Sequence, residues 1–125
     1  MFKQIHHIAI IGSDYKKTRH FYVDMLVLKV IRENYRKEKD DYKIDLKCGE
    51  QEIEIFIKKD APERPNYPEA LGLRHLAFKV ENIEEVVKEL NSKGIETEPI
   101  RIDYYTNKKM TFFKDPDNLP IEIHE

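Results

Sequence analysis

The chain says the same thing twice. His7-Ile8-Ala9 is followed 68 residues later by His75-Leu76-Ala77, and Ile53-Glu54-Ile55 is followed 68 residues later by Ile121-Glu122-Ile123. In 125 residues this leaves room for two copies of one supersecondary unit. Neither copy is large enough to bury its own apolar face. Each copy also carries a His with a Glu 47 residues further on, both within short apolar stretches that read as strands. Two neutral imidazoles and two carboxylates suit a divalent cation, because the two negative charges balance those of the metal.

The elements follow from the apolar pattern. In the first copy Ile5 to Ile11 reads as a strand, and Gly12-Ser13-Asp14 breaks it and offers side-chain oxygens to cap a helix. Thr18, Phe21, Tyr22, Met25 and Leu26 recur at helical spacing. Val30 to Tyr35, Tyr42 to Cys48 and Glu52 to Ile57 read as three further strands. The second copy repeats the order: a strand from Arg74 to Val80, then a helix capped by Asn82 with Glu85 as its capping-box partner. Ile83, Val86, Val87 and Leu90 form that helix's buried stripe, and Gly94 ends it. Strands over Glu96 to Ile102, Lys109 to Phe113 and Leu119 to His124 follow, the last two joined by the turn at Asp115-Pro116-Asp117-Asn118. Each copy is a βαβββ module and the class is α+β. One domain over 1–125 is expected, with module 1 at about 1–60 and module 2 at about 73–125. Between them Pro62, Pro65 and Pro68 make 61–72 a stiff, extended connector.

Strand alternation sorts the polar residues by face. Ile53, Ile55 and Ile57 take the helix side of their strand, leaving Glu52, Glu54 and Phe56 opposite. Ile121 and Ile123 likewise leave Glu122 and His124 opposite. His7 and Ala9 share a face, as do His75 and Ala77, so a small residue stands two positions beyond each His. A single His or Glu at such a position is ordinary. Four of them at two equal spacings are not. His6 points to the opposite face, His20 reads as solvated, and the place of His124 near the C-terminus favours exposure. Phe21 and Tyr22 read as core. Phe56, Tyr104, Tyr105, Phe112 and Phe113 include candidate pocket walls, and Arg101, Lys108 and Lys109 candidate anion contacts.

Composition narrows the partners. Lys and Arg number 22 against 24 Asp and Glu, for a net charge of −2, and no basic run is long enough to follow a phosphate backbone. Nucleic acid is not an expected partner. No apolar stretch approaches a membrane span, so no membrane partner is expected either. The single Cys48 cannot form an intramolecular disulfide, which fits a cytoplasmic setting.

HHIAI (6–10), FY (21–22), IEIF (53–56), LRHLAF (73–78) and DPDNLPIEI (115–123) together resemble the vicinal oxygen chelate superfamily. Within it they are most similar to glyoxalase I and the short bacterial lactoylglutathione lyase-like proteins. The resemblance implies two βαβββ modules forming a cup-shaped, eight-stranded half-barrel around one divalent metal (Ni, Zn, Co, Mn or Fe). It implies His7, Glu54, His75 and Glu122 as the metal ligands, because relatives with only two His and one Glu lack a carboxylate at the position of Glu54. It further implies a lyase or isomerase that acts on a 2-oxoaldehyde–thiol adduct or related α-hydroxycarbonyl compound. Proton transfer would pass through a metal-bound ene-diolate, with Glu122 as the base and Glu54 as the alternative. Glutathione-using members place an Arg and an Asn where this chain has Ile11 and Lys58, so the thiol stays open. Other readings of the same site are an epimerase, a dioxygenase, a thiol transferase, or a small-molecule binding protein that turns nothing over. Because an open module needs a second to cover its concave face, a homodimer with sites shared between chains is expected, as in glyoxalase I.

Overall fold

A computed structural model describes all of residues 1–125. The chain divides into two compact units, Met1–Pro62 and Glu63–Glu125. The first unit contains β1 (His7–Gly12), α1 (Tyr15–Arg19) continuing as a π-helical segment over His20–Met25, β2 (Lys29–Arg36), β3 (Asp41–Cys48) and β4 (Gln51–Ile57). The second contains β5 (Leu76–Lys79), α2 (Ile83–Ser92), β6 (Arg101–Asp103), β7 (Lys108–Lys114) and β8 (Pro120–His124). The sheets run β1-β4-β3-β2 and β5-β8-β7-β6, so both units are βαβββ modules and the fold is α+β. In each sheet the first strand lies parallel to the last, and the remaining pairs are antiparallel. Parallel neighbours need a long crossover, which the helix and the intervening strands provide.

The helix side of the first sheet buries Ile10, Ile44, Leu46, Ile53, Ile55 and Ile57 with Thr18, Phe21 and Tyr22 of the helical segment. Asp14 caps α1 by accepting from the Lys17 N–H at 2.8 Å. The apolar spacing anticipates one α-helix, but from His20 onward the turns widen, and Leu26 N–H reaches Phe21 O at 2.9 Å, five residues back. In the second sheet Ile121, Ile123 and Phe113 are buried, as are Ile83 and Leu90 of α2. Asn82 caps α2 by accepting from the Glu85 N–H at 3.1 Å. The Ile83 N–H is taken by Glu125 Oε1 at 3.0 Å. Gly94, at φ +81, ends the helix in the left-handed region that a side chain resists.

Two strands are shorter than the apolar pattern suggests. β5 begins at Leu76, which leaves His75 just outside it. Of the stretch expected from Glu96 to Ile102, only Arg101 and Ile102 fall in β6, which runs on to Asp103. Pro99 supplies no N–H for a ladder there. The chain is instead tied to β7 by Glu98 N–H to Phe112 O at 2.8 Å and by the Thr111 hydroxyl to Glu98 O at 2.7 Å. The proline-rich stretch contains no helix or strand, as expected. From Glu63 on it is fastened to its own unit: Arg64 donates to Leu73 O and Arg74 O, and Asn66 Nδ2 donates to Asn118 O at 2.7 Å. No helix is long and apolar enough to cross a membrane.

Candidate metal centre

Each module brings its own His and Glu together by the same construction. In the first, parallel pairing sets Ala9 opposite Glu54, and His7, two residues earlier on the same face, reaches across. His7 Nε2 lies 3.7 Å from Glu54 Oε2. In the second, Ala77 stands opposite Glu122 and His75 Nε2 lies 2.9 Å from Glu122 Oε2. The alanines matter because a larger side chain beside either carboxylate would occupy the space the imidazole crosses. Neighbouring donors around a cation with bonds near 2.1 Å stand roughly 3–3.5 Å apart, and the two separations, 2.9 and 3.7 Å, lie just to either side of that range. Imidazole nitrogen and carboxylate oxygen are also the donor types that later first-row divalent ions take. Within neither unit do three or more His, Cys, Asp or Glu gather into a metal-holding group. Each unit thus brings together one His–Glu pair and no larger donor group.

The surroundings of the two pairs differ. On β3, Asp45 faces Glu54, and Lys43 sits two residues away on the same side. Lys43 Nζ lies 3.0 Å from Glu54 Oε1 and 2.8 Å from Asp45 Oδ1. Asp45 also receives Arg32 Nε at 2.7 Å. Burial opposes the charge on Lys43, but its contacts with Asp45 and Glu54 outweigh this and raise its pKa. Burial likewise opposes ionisation of Asp45, and the hydrogen bonds from Lys43 and Arg32 prevail and lower its pKa. Further along the same face Arg36 lies over the Phe56 ring at 4.8 Å and binds Asp41, which also receives Lys58 at 3.1 Å. Beside Glu122 the neighbour on β7 is Phe112, whose ring meets that of His75 edge-on at 5.2 Å. Glu122 is 8% exposed.

The other sequence candidates separate clearly. Phe21, Tyr22 and Phe113 are core, Phe56 and Phe112 flank the two pairs, and Tyr104 and Tyr105 are exposed. His20 is exposed and pairs with Asp24 at 2.9 Å. His6 is exposed and its Nδ1 lies 2.9 Å from that of His7. His124 is not exposed as its position near the end of the chain suggests. It is half-buried, with Nε2 3.3 Å from Asp103 Oδ2 and 3.1 Å from Thr106 Oγ1, because β8 lies between β5 and β7. Of the candidate anion contacts, Lys109 is paired with Glu84, and Arg101 is paired with Glu98 at 2.8 Å and lies over Phe112. Lys43, Asp45 and Arg32 were not among the candidates. The signal was present in β3, where Asp41, Lys43, Asp45 and Lys47 alternate with Tyr42, Ile44 and Leu46 and so share the face of Glu54.

This geometry agrees with the chain's similarities. Residues 4–123 match the model of the Glyoxalase/Bleomycin resistance protein/Dioxygenase superfamily. YwkD of Bacillus subtilis is 56% identical over 100% of this chain and 98% of its own length. The crystal structure of a glyoxalase family protein from Enterococcus faecalis is 64% identical and superposes with a TM-score of 0.94, covering 99% of this chain and 98% of that one. The metallothiol transferase FosB of Staphylococcus saprophyticus is 30% identical over 99% of this chain and 78% of its own length. The repeated βαβββ modules and a match over nearly the whole chain lead to one conclusion: it belongs to the glyoxalase/bleomycin resistance/dioxygenase, or vicinal oxygen chelate, superfamily.

Proposed function

We propose that the protein is a metal-dependent glyoxalase-like lyase or isomerase whose divalent cation is held by His7, Glu54, His75 and Glu122. The observation that carries this reading is the duplicated pairing itself, with Nε2 to Oε2 at 3.7 Å in one module and 2.9 Å in the other. Membership of the superfamily supports a metal-dependent vicinal oxygen chelate enzyme. The substrate in this reading is a 2-oxoaldehyde–thiol adduct or a related α-hydroxycarbonyl compound, with oxygens on adjacent carbons. A divalent cation (Ni, Zn, Co, Mn or Fe) held by these four residues would supply Lewis acidity and so make the C–H beside the substrate carbonyl more acidic. Glu122 then takes that proton and returns it to the neighbouring carbon. Its burial limits exchange with water, and the Phe112 edge against His75 keeps the imidazole oriented. Glu54 is the alternative base. The free Cys48 supports a cytoplasmic setting.

A second reading, a metal-dependent thiol transferase, is favoured by the 30% identity to a protein named a metallothiol transferase. It needs an electrophilic substrate and no proton shuttle, so assays of methylglyoxal and of an epoxide, each with several thiols, separate the two.

The metal is tested first. Protein purified without chelator should carry close to one divalent ion per chain. His75→Ala should weaken metal binding strongly, whereas His6→Ala should not. Metal that stays far below one per chain after reconstitution with Ni, Co, Zn or Mn would overturn the reading. The same reading holds that two chains share their sites, His7 and Glu54 of one chain completing His75 and Glu122 of another. Mixing His7→Ala with Glu122→Gln chains should then restore activity, since a heterodimer keeps one undamaged site. Absence of rescue despite subunit exchange would place both pairs in one chain.

A further inference from the structure

The two modules pair His with Glu in the same way, yet they do not hold the carboxylates alike. Glu54 is gripped at one oxygen, with Lys43 Nζ 3.0 Å from Oε1, while Oε2 faces His7. The lysine is itself braced. Its second partner is Asp45 at 2.8 Å, and Asp45, 3% exposed, is anchored on its other oxygen by Arg32. Arg32 in turn binds Glu52, the residue two before Glu54 on the same face. Glu54 is therefore the end of a chain of ion pairs running across β4, β3 and β2. Moving it would break a charge-assisted hydrogen bond and leave a half-buried ammonium with one partner fewer.

The second module has no counterpart to this frame. By register, Phe112 takes the place of Asp45 opposite the glutamate, and Met110 takes the place of Lys43. Both are apolar and neither can donate to a carboxylate oxygen. In its own module Glu122 is paired with His75 alone, at 2.9 Å. One carboxylate is thus tethered by a lysine across the strand, and its repeat-related partner carries no such tether.

We infer that Lys43 is a positioning residue: it fixes Glu54 as a ligand through Oε2 only and so leaves Glu122 as the carboxylate that moves. The inference rests on the proposed metal site and adds to it the reason why two glutamates, equivalent by repeat, have different roles.

The test uses the full chain and cobalt(II) alone, so no substrate is needed. Cobalt affinity and the visible absorption of the bound ion are measured for Lys43→Met and Lys43→Arg. Lys43→Met is then repeated in Glu54→Gln and Glu122→Gln backgrounds. Lys43→Met should change cobalt affinity by about twofold or more, the lower end of coupling between contacting residues, and should alter the spectrum. Lys43→Arg should restore both toward wild type. The effect of Lys43→Met should disappear in the Glu54→Gln background and persist in the Glu122→Gln background. An effect of the same size in all three backgrounds, or no effect in any, overturns the inference. A parallel urea-unfolding cycle of Lys43→Met with Glu54→Gln in metal-free protein separates the two levels. Additive effects there show that the pair is not formed and overturn the inference even if cobalt binds. Coupled effects in a protein that binds no cobalt show an ion pair without a metal to serve, which overturns both the inference and the proposed function.

Discussion

Gly12→Ala is predicted to destabilise the first module through a single, identifiable collision. Gly12 ends β1, five residues after His7, and packs over the helical segment. A Cβ placed on it would lie 2.6 Å from Thr18 Oγ1, 2.8 Å from Thr18 Cγ2 and 3.1 Å from Thr18 Cβ. The strand cannot retreat easily, because Gly12 O accepts the Lys58 N–H at 2.8 Å. Thr18 is fully buried and branched at Cβ, so it has little freedom to turn away. Overpacking of this kind costs about 1–3 kcal/mol. For a chain of this length, at about 4 °C per kcal/mol, that lowers Tm by roughly 4–12 °C. Thr18→Ala alone should be nearly neutral. It loses a buried methyl worth about 1 kcal/mol, but it also removes a buried hydroxyl that has no partner and costs a similar amount. In the double variant the two closest atoms are gone, so its stability should approach that of Thr18→Ala. The cycle should show a coupling of about 1–2 kcal/mol by urea unfolding. A Gly12→Ala protein as stable as wild type, or penalties that simply add, would refute the reasoning.

Asp41 is held by Arg36, and further by Lys58, so that its pKa falls to about 2 from an ordinary 3.8, against the opposing effect of burial. A depressed carboxylate pKa stabilises the fold above the unfolded value, and that contribution is lost as pH falls. Thermal melts should therefore show wild type losing an advantage over Asp41→Asn between about pH 4 and pH 2, with the two curves converging below. Asp115, 5% exposed, accepts the N–H groups of Asp117 and Leu119, each at 2.9 Å, and shapes the turn that launches β8. Asp115→Ala should cost about 2–3 kcal/mol by urea unfolding, with Asp115→Asn recovering part of it. Asn82→Ala removes the cap of α2 and should cost about 1 kcal/mol, measured the same way. Glu122→Gln should keep the fold, judged by circular dichroism, and lose most turnover in an assay of the identified substrate. If Glu54→Gln proved the more damaging, the base assignment would move to Glu54.

The repeat made most of the architecture legible before any coordinates, because β-strand alternation has a strict period of two. Once Ile53, Ile55 and Ile57 were assigned to the core, Glu54 had to lie on the opposite face, and the structure bears this out. The helix caps were equally readable, since Asp14 and Asn82 are short acceptors placed just before an apolar stripe. The widening of the helix over His20–Met25 was not readable. Phe21 and Tyr22 are buried in the widened turns, and their apolar spacing does not by itself distinguish an α from a π turn. The length of β6 was also hidden, because Ile95, Thr97 and Ile100 suit a strand while Pro99 interrupts its ladder. At the candidate site, the two His–Glu pairs and their equal spacing are visible in the sequence. The alternation of β3 puts Lys43 and Asp45 on one face, but that this face lies against Glu54 depends on the pairing of β3 with β4, which only the register supplies.

The parallel pairing of first and last strand has a kinetic consequence. Within each module β2-β3-β4 and β6-β7-β8 are sequence-local hairpins, while β1 and β5 pair with strands that arrive 45 residues later. Local pairs close early, and distant ones must first overcome the entropy of the loop between them. On this ordering His7 and His75 are expected to meet their glutamates after the hairpins of each module have closed. Under the proposed function, a cation would find its donors late and would not template the start of either module. By the same order, detachment of a single edge strand dismantles a donor pair while most of the sheet stays intact. Loss of metal would thus precede unfolding, and a bound ion would be felt chiefly as resistance of β1 and β5 to peeling away.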